Sequence, residues 1–431
     1  MLPVRGGPSE PVVSGRAGTM LFSKRPLLPM SRAWLLPEHV ADVLPAEARR
    51  VELLRRRLLD LAAAHGFELV IPPLVEHVDS LLSGTAGELD LKTFKLVDQI
   101  SGRQLGLRAD ITPQAARIDA HLLNREGVVR LCYCGSVLHA RPVGPTARRE
   151  LLQFGAEVFG HAGLEADLEV QQLALEGVAA SGAGGLVVDL ADARILRGVL
   201  AGVALDASSL EQLAQALAAK DAPRVQALAK GLPPQTGQGL VAMLQLYGGR
   251  DVLEQARARL PARPLIGQAL DDLDWLAAHL ERAFGDSLRV GFDLADMGGY
   301  AYYSGPRFAV YGAGFPDALA RGGRYDEVGA VFGRNRPAVG FSLDVLALAA
   351  HAPNRPAATA IRAPWSEEPN LREAVRGLRD RGEIVVYALP GAPDGAASHD
   401  FDRELLRVGD RWVVSAIDVP HAPLATMDTP S

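Results

Sequence analysis

The amino-acid sequence predicts an α+β fold in which helices flank an antiparallel sheet. Between residues 67 and 160, strand–turn–strand units follow one another, and Ala- and Leu-rich segments with helical periodicity begin after Asp167. Strands that return on themselves without crossover helices pair antiparallel. A chain of 431 residues exceeds one typical domain, so we expect a large domain with additions.

The first predicted element is an amphipathic helix that begins after Pro45 and ends at Gly66. Its apolar stripe consists of Val51, Leu54, Leu58 and Leu61. Residues 67–78 begin as a strand and then meet two prolines, which favours a sheet edge or an interface because proline cannot donate to a central ladder.

Two hairpin-like units follow this segment. Ser101 and Gly102 have the residue types of a tight turn between strands. A polar loop at 142–150 separates the strand-like segment beginning near Val128 from the segment ending near His161.

The second half of the chain alternates helical and strand-like character. A strand is predicted at 186–192, and a helical insertion at about 194–282; the sheet then resumes. We expect residues 31–351 to form the large domain, 352–364 a Pro/Ala linker, and 365–431 a small α/β appendage with one helix and two strands.

Residues 1–30 are rich in Gly, Pro, Ser and Arg, and they lack the continuous apolar run of a signal peptide. We expect this segment to be a disordered extension, with Met30 as a candidate translation start. The sequence also has no stretch of about 18 apolar residues, which predicts no membrane partner.

Composition limits the functional classes. With 48% hydrophobic and 22% charged residues, the chain is not collagenous or wholly disordered. The formal net charge of −6 supplies no cationic field for phosphates, so no nucleic-acid partner is predicted. Cys132 and Cys134 are the only cysteines, which favours packed thiols in a reducing cytoplasm over disulfides or zinc.

No cofactor or metal is expected either. The glycines at 182, 184 and 185 precede a strand, whereas a dinucleotide loop follows one, and no GxxxxGK[ST] motif occurs.

Polar residues on one strand indicate a candidate pocket. Gln153 and Glu157 lie four residues apart and point to the same side of a sheet. Buried polar side chains need partners, which favours a pocket, although spacing alone leaves a solvated sheet face open. The tyrosines before Ser304-Gly305 (Tyr300, Tyr302, Tyr303) and the run Gly322–Asp326 favour a site, while their glycines also suit ordinary turns.

Taken together, these motifs from 33 to about 350 resemble the catalytic domain of class II aminoacyl-tRNA synthetases, specifically histidyl-tRNA synthetase. Pro73 and Glu76 fall at the positions of the family's first motif, and LRADIT at 107–112 resembles its LRPEGT. QFGAE resembles its histidine-binding Gln-x-x-x-Glu strand, and YYSG, GGRYD and AVGF resemble its later signatures.

The resemblance implies a histidine pocket and a twofold interface. It places Asp110, Thr112 and Gln153 at the histidine amino group, Glu157 at the imidazole, and Tyr302 and Tyr303 around the ring. Pro73 would lie in the dimer interface.

Three departures from the synthetase pattern concern catalysis. His139, followed by Arg141, stands where the family has Arg-x-Glu, Gly298 stands at the catalytic arginine, and Ala347 at the arginine of the third motif. Preorganised cations at developing phosphate charge are large catalytic terms, so we expect amino-acid activation to be lost. The appendage is also too short for a full anticodon-binding domain.

With its pocket kept and its arginines lost, the chain resembles the regulatory subunits of ATP phosphoribosyltransferase. Residues 35–45, 94–121 and 132–142 carry this likeness, including Asp110 in place of glutamate. The likeness implies a non-catalytic homodimer that joins short-form catalytic subunits, usually four of each, and mediates feedback by L-histidine. A divergent histidyl-tRNA synthetase and a tRNA-sensing paralogue remain the alternatives.

Overall fold

The computed structural model describes residues 35–82, 87–142, 147–352, 359–391 and 399–417. The predicted extension at 1–30 lies outside these residues. The strands are β1 Glu68–Leu69, β2 Val75–His77, β3 Phe94–Val97, β4 Gln104–Leu107, β5 Val129–Leu138, β6 Glu150–Phe159, β7 Leu186–Asp192, β8 Tyr247–Gly248, β9 Leu288–Asp293, β10 Pro306–Tyr311, β11 Ala320–Arg324, β12 Ala338–Asp344, β13 Ala360–Pro364, β14 Val385–Ala388, β15 Phe401–Val408 and β16 Arg411–Ala416.

The helices lie mostly after the first hairpins. They are α1 Pro45–Ala64, α2 Val78–Leu81, α3 Gly87–Lys92, α4 Thr112–Arg117, α5 Leu164–Ala180, α6 Ala193–Leu200, α7 Ala207–Ala218, α8 Ala222–Ala229, α9 Pro234–Met243, α10 Asp251–Arg259, α11 Pro264–Phe284, α12 Val345–His351 and α13 Pro369–Asp380. A π-helical segment, Ile118–Leu123, continues α4 directly.

A nine-stranded sheet forms the centre of the large domain, in the order β1-β5-β6-β12-β11-β10-β7-β9-β8. Most neighbouring strands pair antiparallel, while β1–β5 and β7–β9 pair parallel. The predicted α+β class is therefore confirmed, with a sheet that is mixed at two places. The parallel pairs arise because helical segments separate those strands along the chain.

Helix α1 covers one face of this sheet. It buries Val51, Leu54, Leu58 and Ala62, whereas Leu61 of the predicted stripe is only partly buried. The helix is followed by Gly66 at φ +80°, a left-handed conformation that favours glycine. Apolar residues of α5, of α12 and of the helices between β7 and β9 join the same core.

A second sheet, β2-β4-β3, begins just after the segment that contains Pro72 and Pro73, the proline segment. The hairpin between β3 and β4 is closed by hydrogen bonds from Asp98 N to Arg103 O (2.9 Å) and from Gly102 N to Asp98 O (2.8 Å). The Ser101-Gly102 turn predicted from the sequence is thus present.

The C-terminal unit is a sheet of order β14-β13-β15-β16 with α13 packed against it. Strand β13 lies inside the segment predicted as a linker, and β15 lies in a region predicted as loop. Both predictions were wrong for a physical reason: β13 is short and ends at a proline, and β15 has three consecutive charged residues, Asp402 to Glu404, and lacks the alternation typical of a strand. Such strands become recognisable only through their partners.

None of the helices in the described segments is long and apolar enough to cross a membrane.

Candidate ligand pocket

The pocket forms on the face of the central sheet that carries Gln153 and Glu157. Strand β6 pairs with β5 and β12, which places Tyr133 opposite Gly155 and Gly340 opposite Glu157. A Cβ atom at Gly155 would overlap the Tyr133 hydroxyl, and one at Gly340 would overlap the Glu157 carboxyl group. These two glycines therefore provide the space in which the polar side chains lie.

Gln153 fixes the segment that begins α4. Its Nε2 donates to Asp110 Oδ1 (2.8 Å), and its Oε1 accepts from the backbone N–H of Ile111 (2.9 Å). Asp110 Oδ1 also accepts from the backbone N–H of Thr112 (3.0 Å). Gln153 is thus used mainly to orient Asp110, which is half-buried and keeps acceptor capacity for a ligand.

Glu157 is fully buried, and both of its oxygens accept hydrogen bonds from tyrosines. Tyr133 donates to Oε1 (2.8 Å) and Tyr325 donates to Oε2. The hydroxyl groups of Thr112 and Tyr133 are 2.9 Å apart and extend this network. Burial raises the pKa of Glu157 to about 8, although both tyrosine hydrogen bonds act in the opposite direction.

Tyr302 and Tyr303 form an aromatic wall next to this carboxyl group. The Tyr302 ring stacks on Tyr325 with centroids 5.0 Å apart, and Tyr303 meets Tyr302 edge-on at 5.4 Å. Burial raises the pKa of both tyrosines, so their hydroxyls are neutral at physiological pH. The Tyr302 hydroxyl is buried and forms no hydrogen bond with the described residues. A buried hydroxyl without a partner costs free energy unless a ligand or a water molecule forms a hydrogen bond with it.

The segments YYSG and GGRYD, which carry the three tyrosines, are joined by hydrogen bonds. Ser304 Oγ donates to Asp326 Oδ2 (2.9 Å), and the backbone N–H of Asp326 donates to Ser304 Oγ (3.0 Å). Ser304 N also donates to Arg324 O (2.7 Å). This contact between YYSG and GGRYD fixes the tyrosines over the sheet.

The structure therefore brings all six residues predicted for the pocket into one connected network: Asp110, Thr112, Gln153, Glu157, Tyr302 and Tyr303. Sequence reasoning missed Tyr133 and Tyr325, which hold Glu157. Tyr325 lies within GGRYD, which had been singled out for its glycines. Tyr133 lies between the two cysteines and would have been found only from the register that places it opposite Gly155.

The positions expected to lack phosphate-binding arginines supply no positive charge. The imidazole of His139 lies 3.1 Å from Ala109 O, and burial lowers its pKa, which makes the ring neutral at pH 7. Gly298 lies in an exposed turn, and Ala347 lies on the exposed side of α12.

The cysteines have the character of packed thiols. Burial raises the pKa of Cys132 and of Cys134 to about 11, so neither is a thiolate at neutral pH. Within the described ranges, no cluster of three or more His, Cys, Asp or Glu side chains has a geometry that could hold a metal ion.

The fold and the pocket define a histidyl-tRNA synthetase-like domain. The family model described as "Histidyl-tRNA synthetase" matches residues 39–348. A crystal structure from Bacillus halodurans C, titled an ATP phosphoribosyltransferase regulatory subunit/histidyl-tRNA synthetase, is similar with a TM-score of 0.74 and 27% identity. The similarity covers 85% of this chain and 96% of that one.

More similar relatives identify the family more closely. Residues 358–415 match the model described as "ATP phosphoribosyltransferase subunit HisZ C-terminal domain". A protein of Variovorax paradoxus (strain S110) is 59% identical over 386 residues, and one of Albidiferax ferrireducens is 57% identical over 385; each match covers 89% of this chain and the whole relative. Both are named ATP phosphoribosyltransferase regulatory subunit. The chain belongs to the family of ATP phosphoribosyltransferase regulatory subunits, which confirms the resemblance found in the motifs.

Proposed function

We propose that this protein is the non-catalytic regulatory subunit of ATP phosphoribosyltransferase in the first step of histidine biosynthesis. It activates a separate short-form catalytic subunit and makes that subunit sensitive to L-histidine. The observation that carries the proposal is the similarity over 89% of the chain to proteins of that name, and the connected polar network, together with the absence of arginine at positions 139, 298 and 347, supports it. Assembly is proposed as a hetero-octamer in the cytoplasm, built on homodimers.

L-Histidine is the proposed ligand of the pocket. Asp110 offers its carboxylate to the ammonium group of the ligand, with Gln153 and Thr112 fixing that carboxylate. Glu157 retains acceptor capacity beyond its two tyrosine bonds and receives the imidazole N–H. Tyr302 and Tyr303 enclose the ring, and the buried Tyr302 hydroxyl gains a partner.

We also propose that aminoacylation chemistry is lost, which the residues at three positions support. Because His139, Gly298 and Ala347 supply no guanidinium group, the protein should not stabilise the charge of an adenylation transition state. Loss of one such contact typically costs about a hundredfold to a thousandfold in rate. Histidine-dependent ATP–pyrophosphate exchange at a synthetase-like rate would contradict this proposal.

The sharpest test of the histidine site is Glu157→Ala. Loss of this acceptor leaves the buried imidazole N–H without a partner, which should weaken histidine binding by about ten- to a hundredfold in calorimetry. The variant should still activate the short-form catalytic subunit but lose histidine inhibition. Glu150→Ala is the matched control, since it removes an exposed carboxylate from the beginning of the same strand. Unchanged histidine affinity in Glu157→Ala would place the site elsewhere.

A further inference from the structure

A buried arginine lies in the same row of the sheet as Glu157. Glu157 pairs with Gly340, Gly340 pairs with Gly323, and Gly323 pairs with Arg307 on β10. Directly paired residues project to the same face of a sheet. Because the two middle positions are glycines, this row of the sheet contributes no side chain between the acidic and the basic residue across about 14 Å, three strand spacings.

The guanidinium group of Arg307 lies near the Tyr303 ring and forms an ion pair with Asp296. Its side chain is 5% exposed, its Nη2 lies 3.1 Å from Asp296 Oδ2, and its Nη1 donates to Asp296 O. Its Cζ lies 5.2 Å from the centroid of the Tyr303 ring. The buried Nε–H has no hydrogen-bond partner in the described part of the chain. One donor of the guanidinium group therefore has no acceptor among the described residues.

Arg307 also lies beside the position that lost an arginine. A Cβ atom built at Gly298 would lie 3.6 Å from Arg307 Nη2. The guanidinium group thus reaches, from a different strand, the place from which a side chain at position 298 would project. Tyr303 interacts electrostatically with Arg307 and Arg321 and also with Asp110 and Glu157, so its hydroxyl lies within range of cations and of both acidic groups.

A free amino acid brings a carboxylate as well as an ammonium group and a side chain. Asp110 cannot receive that carboxylate, because like charges repel, and Glu157 is assigned to the imidazole. Resting on the proposed histidine site, we propose that Arg307 binds the α-carboxylate of the amino acid and replaces the cation absent at Gly298. Guanidinium groups suit this role, since their planar donors match a carboxylate.

The proposal predicts that selectivity for the carboxylate depends on Arg307. L-Histidine should bind the full-length wild type about 10- to 100-fold more tightly than L-histidinol, in which a hydroxymethyl group replaces the carboxylate. In R307Q this ratio should fall to near one, through weaker binding of histidine and with the affinity for histidinol unchanged. Calorimetry with both ligands measures the four affinities.

R321Q is the control, because Arg321 is half-exposed and lies 4.0 Å from the same Asp296 carboxylate. It should keep the wild-type selectivity; loss of selectivity in R321Q would overturn the assignment to Arg307. Equal losses for both ligands in R307Q would show a merely structural role and also overturn it. The ratio of histidine to histidinol affinity is also measured on the wild type alone. Equal affinities for the two ligands therefore reject the proposal even if R307Q does not fold.

Further outcomes distinguish failure of the proposed histidine site from failure of the role assigned to Arg307. A wild type that binds neither ligand refutes the proposed histidine site itself, whereas histidine binding without selectivity refutes only the role of Arg307. Inorganic phosphate is titrated in parallel. If R307Q loses phosphate binding while it retains selectivity for histidine, Arg307 serves a phosphate, and the carboxylate assignment fails.

Discussion

The buried carboxyl group of Glu157 couples the pocket to pH. Burial raises its pKa from 4.5 to about 8, so the folded protein holds a proton that the unfolded chain releases between these values. The folded state therefore binds more protons in this window, and the free energy of unfolding decreases as pH rises from about 4.5 to 8.

Glu157→Gln should remove this contribution. The amide resembles the protonated acid in shape and carries no charge, so the decline in stability between pH 5 and 8.5, on the order of a few kcal/mol, should become smaller. Urea unfolding across that pH range measures the difference. Glu150→Gln on the same strand should retain the wild-type decline. An unchanged slope in Glu157→Gln would assign it to other buried acids, such as Asp167, whose pKa burial raises to about 6.

At the residue scale, spacing and resemblance located the acidic and amide groups of the pocket, but not what holds them. Gln153 and Glu157 share a face because residues four apart in a strand always do. That Tyr133 and Tyr325 donate to Glu157 depends on the register of β5 against β6 and on the packing of the GGRYD motif. Neither is encoded in local spacing, so the tyrosine partners could not be predicted.

Among the elements, α4 joins the pocket to the proline segment. Its first residue, Thr112, contacts Tyr133. Gln114 Nε2 donates to Pro73 O and to Glu76 Oε1, both at 2.8 Å, and Arg117 forms an ion pair with Glu76 at 2.5 Å. One short helix therefore contacts the candidate ligand site at one end and the expected dimer interface at the other.

Gln114→Leu should weaken both functions together. The substitution removes the Gln114 donor from Pro73 O and one of the hydrogen bonds that Glu76 accepts, at a cost of about 1–3 kcal/mol. Dimer dissociation by sedimentation equilibrium and histidine affinity by calorimetry should both change. Ser80→Ala removes a different hydrogen bond to Glu76 (3.2 Å) without touching α4, and it should leave histidine binding intact. A loss of dimerisation with normal histidine affinity would refute the coupling.

The prediction of elements succeeded where the pattern was local. The Pro45 helix and the Ser101-Gly102 turn follow from residue types within a few positions. Strand β15 was missed because charged residues occupy much of its first half, although it forms a tight hairpin with β16, and β13 was missed because it pairs with β14 and β15, which are distant in the chain. Pairing over such distances leaves little trace in the residue pattern of one strand.

For the whole molecule, the surface around the small sheet predicts self-association. Ile71, Val97 and Ile100 are 85%, 67% and 97% exposed, and Leu96 is also exposed. Apolar surface of this kind is unfavourable in water and typically marks an interface. These residues flank Pro73 in the sequence or lie in the adjoining sheet and its turn.

We expect a dimer at micromolar concentration, and Val97→Asp should shift it towards monomer because a buried unpaired carboxylate is costly. Sedimentation velocity of the full chain measures the change. Val408→Asp is the matched control: this valine is 63% exposed on β15 of the C-terminal unit and should not affect association. A wild type that sediments as a monomer would contradict the interface assigned to this sheet.

Gly155 and Gly340 have a consequence for how this pocket can change during evolution. One methyl group added at either position would occupy the volume of the Tyr133 hydroxyl or of the Glu157 carboxyl group. Substitution of either glycine by alanine would therefore displace one of these polar groups. Ligand preference would change although the new methyl group does not contact the ligand. Variants that acquire a new specificity are expected to keep both glycines and to vary the residues around the aromatic wall.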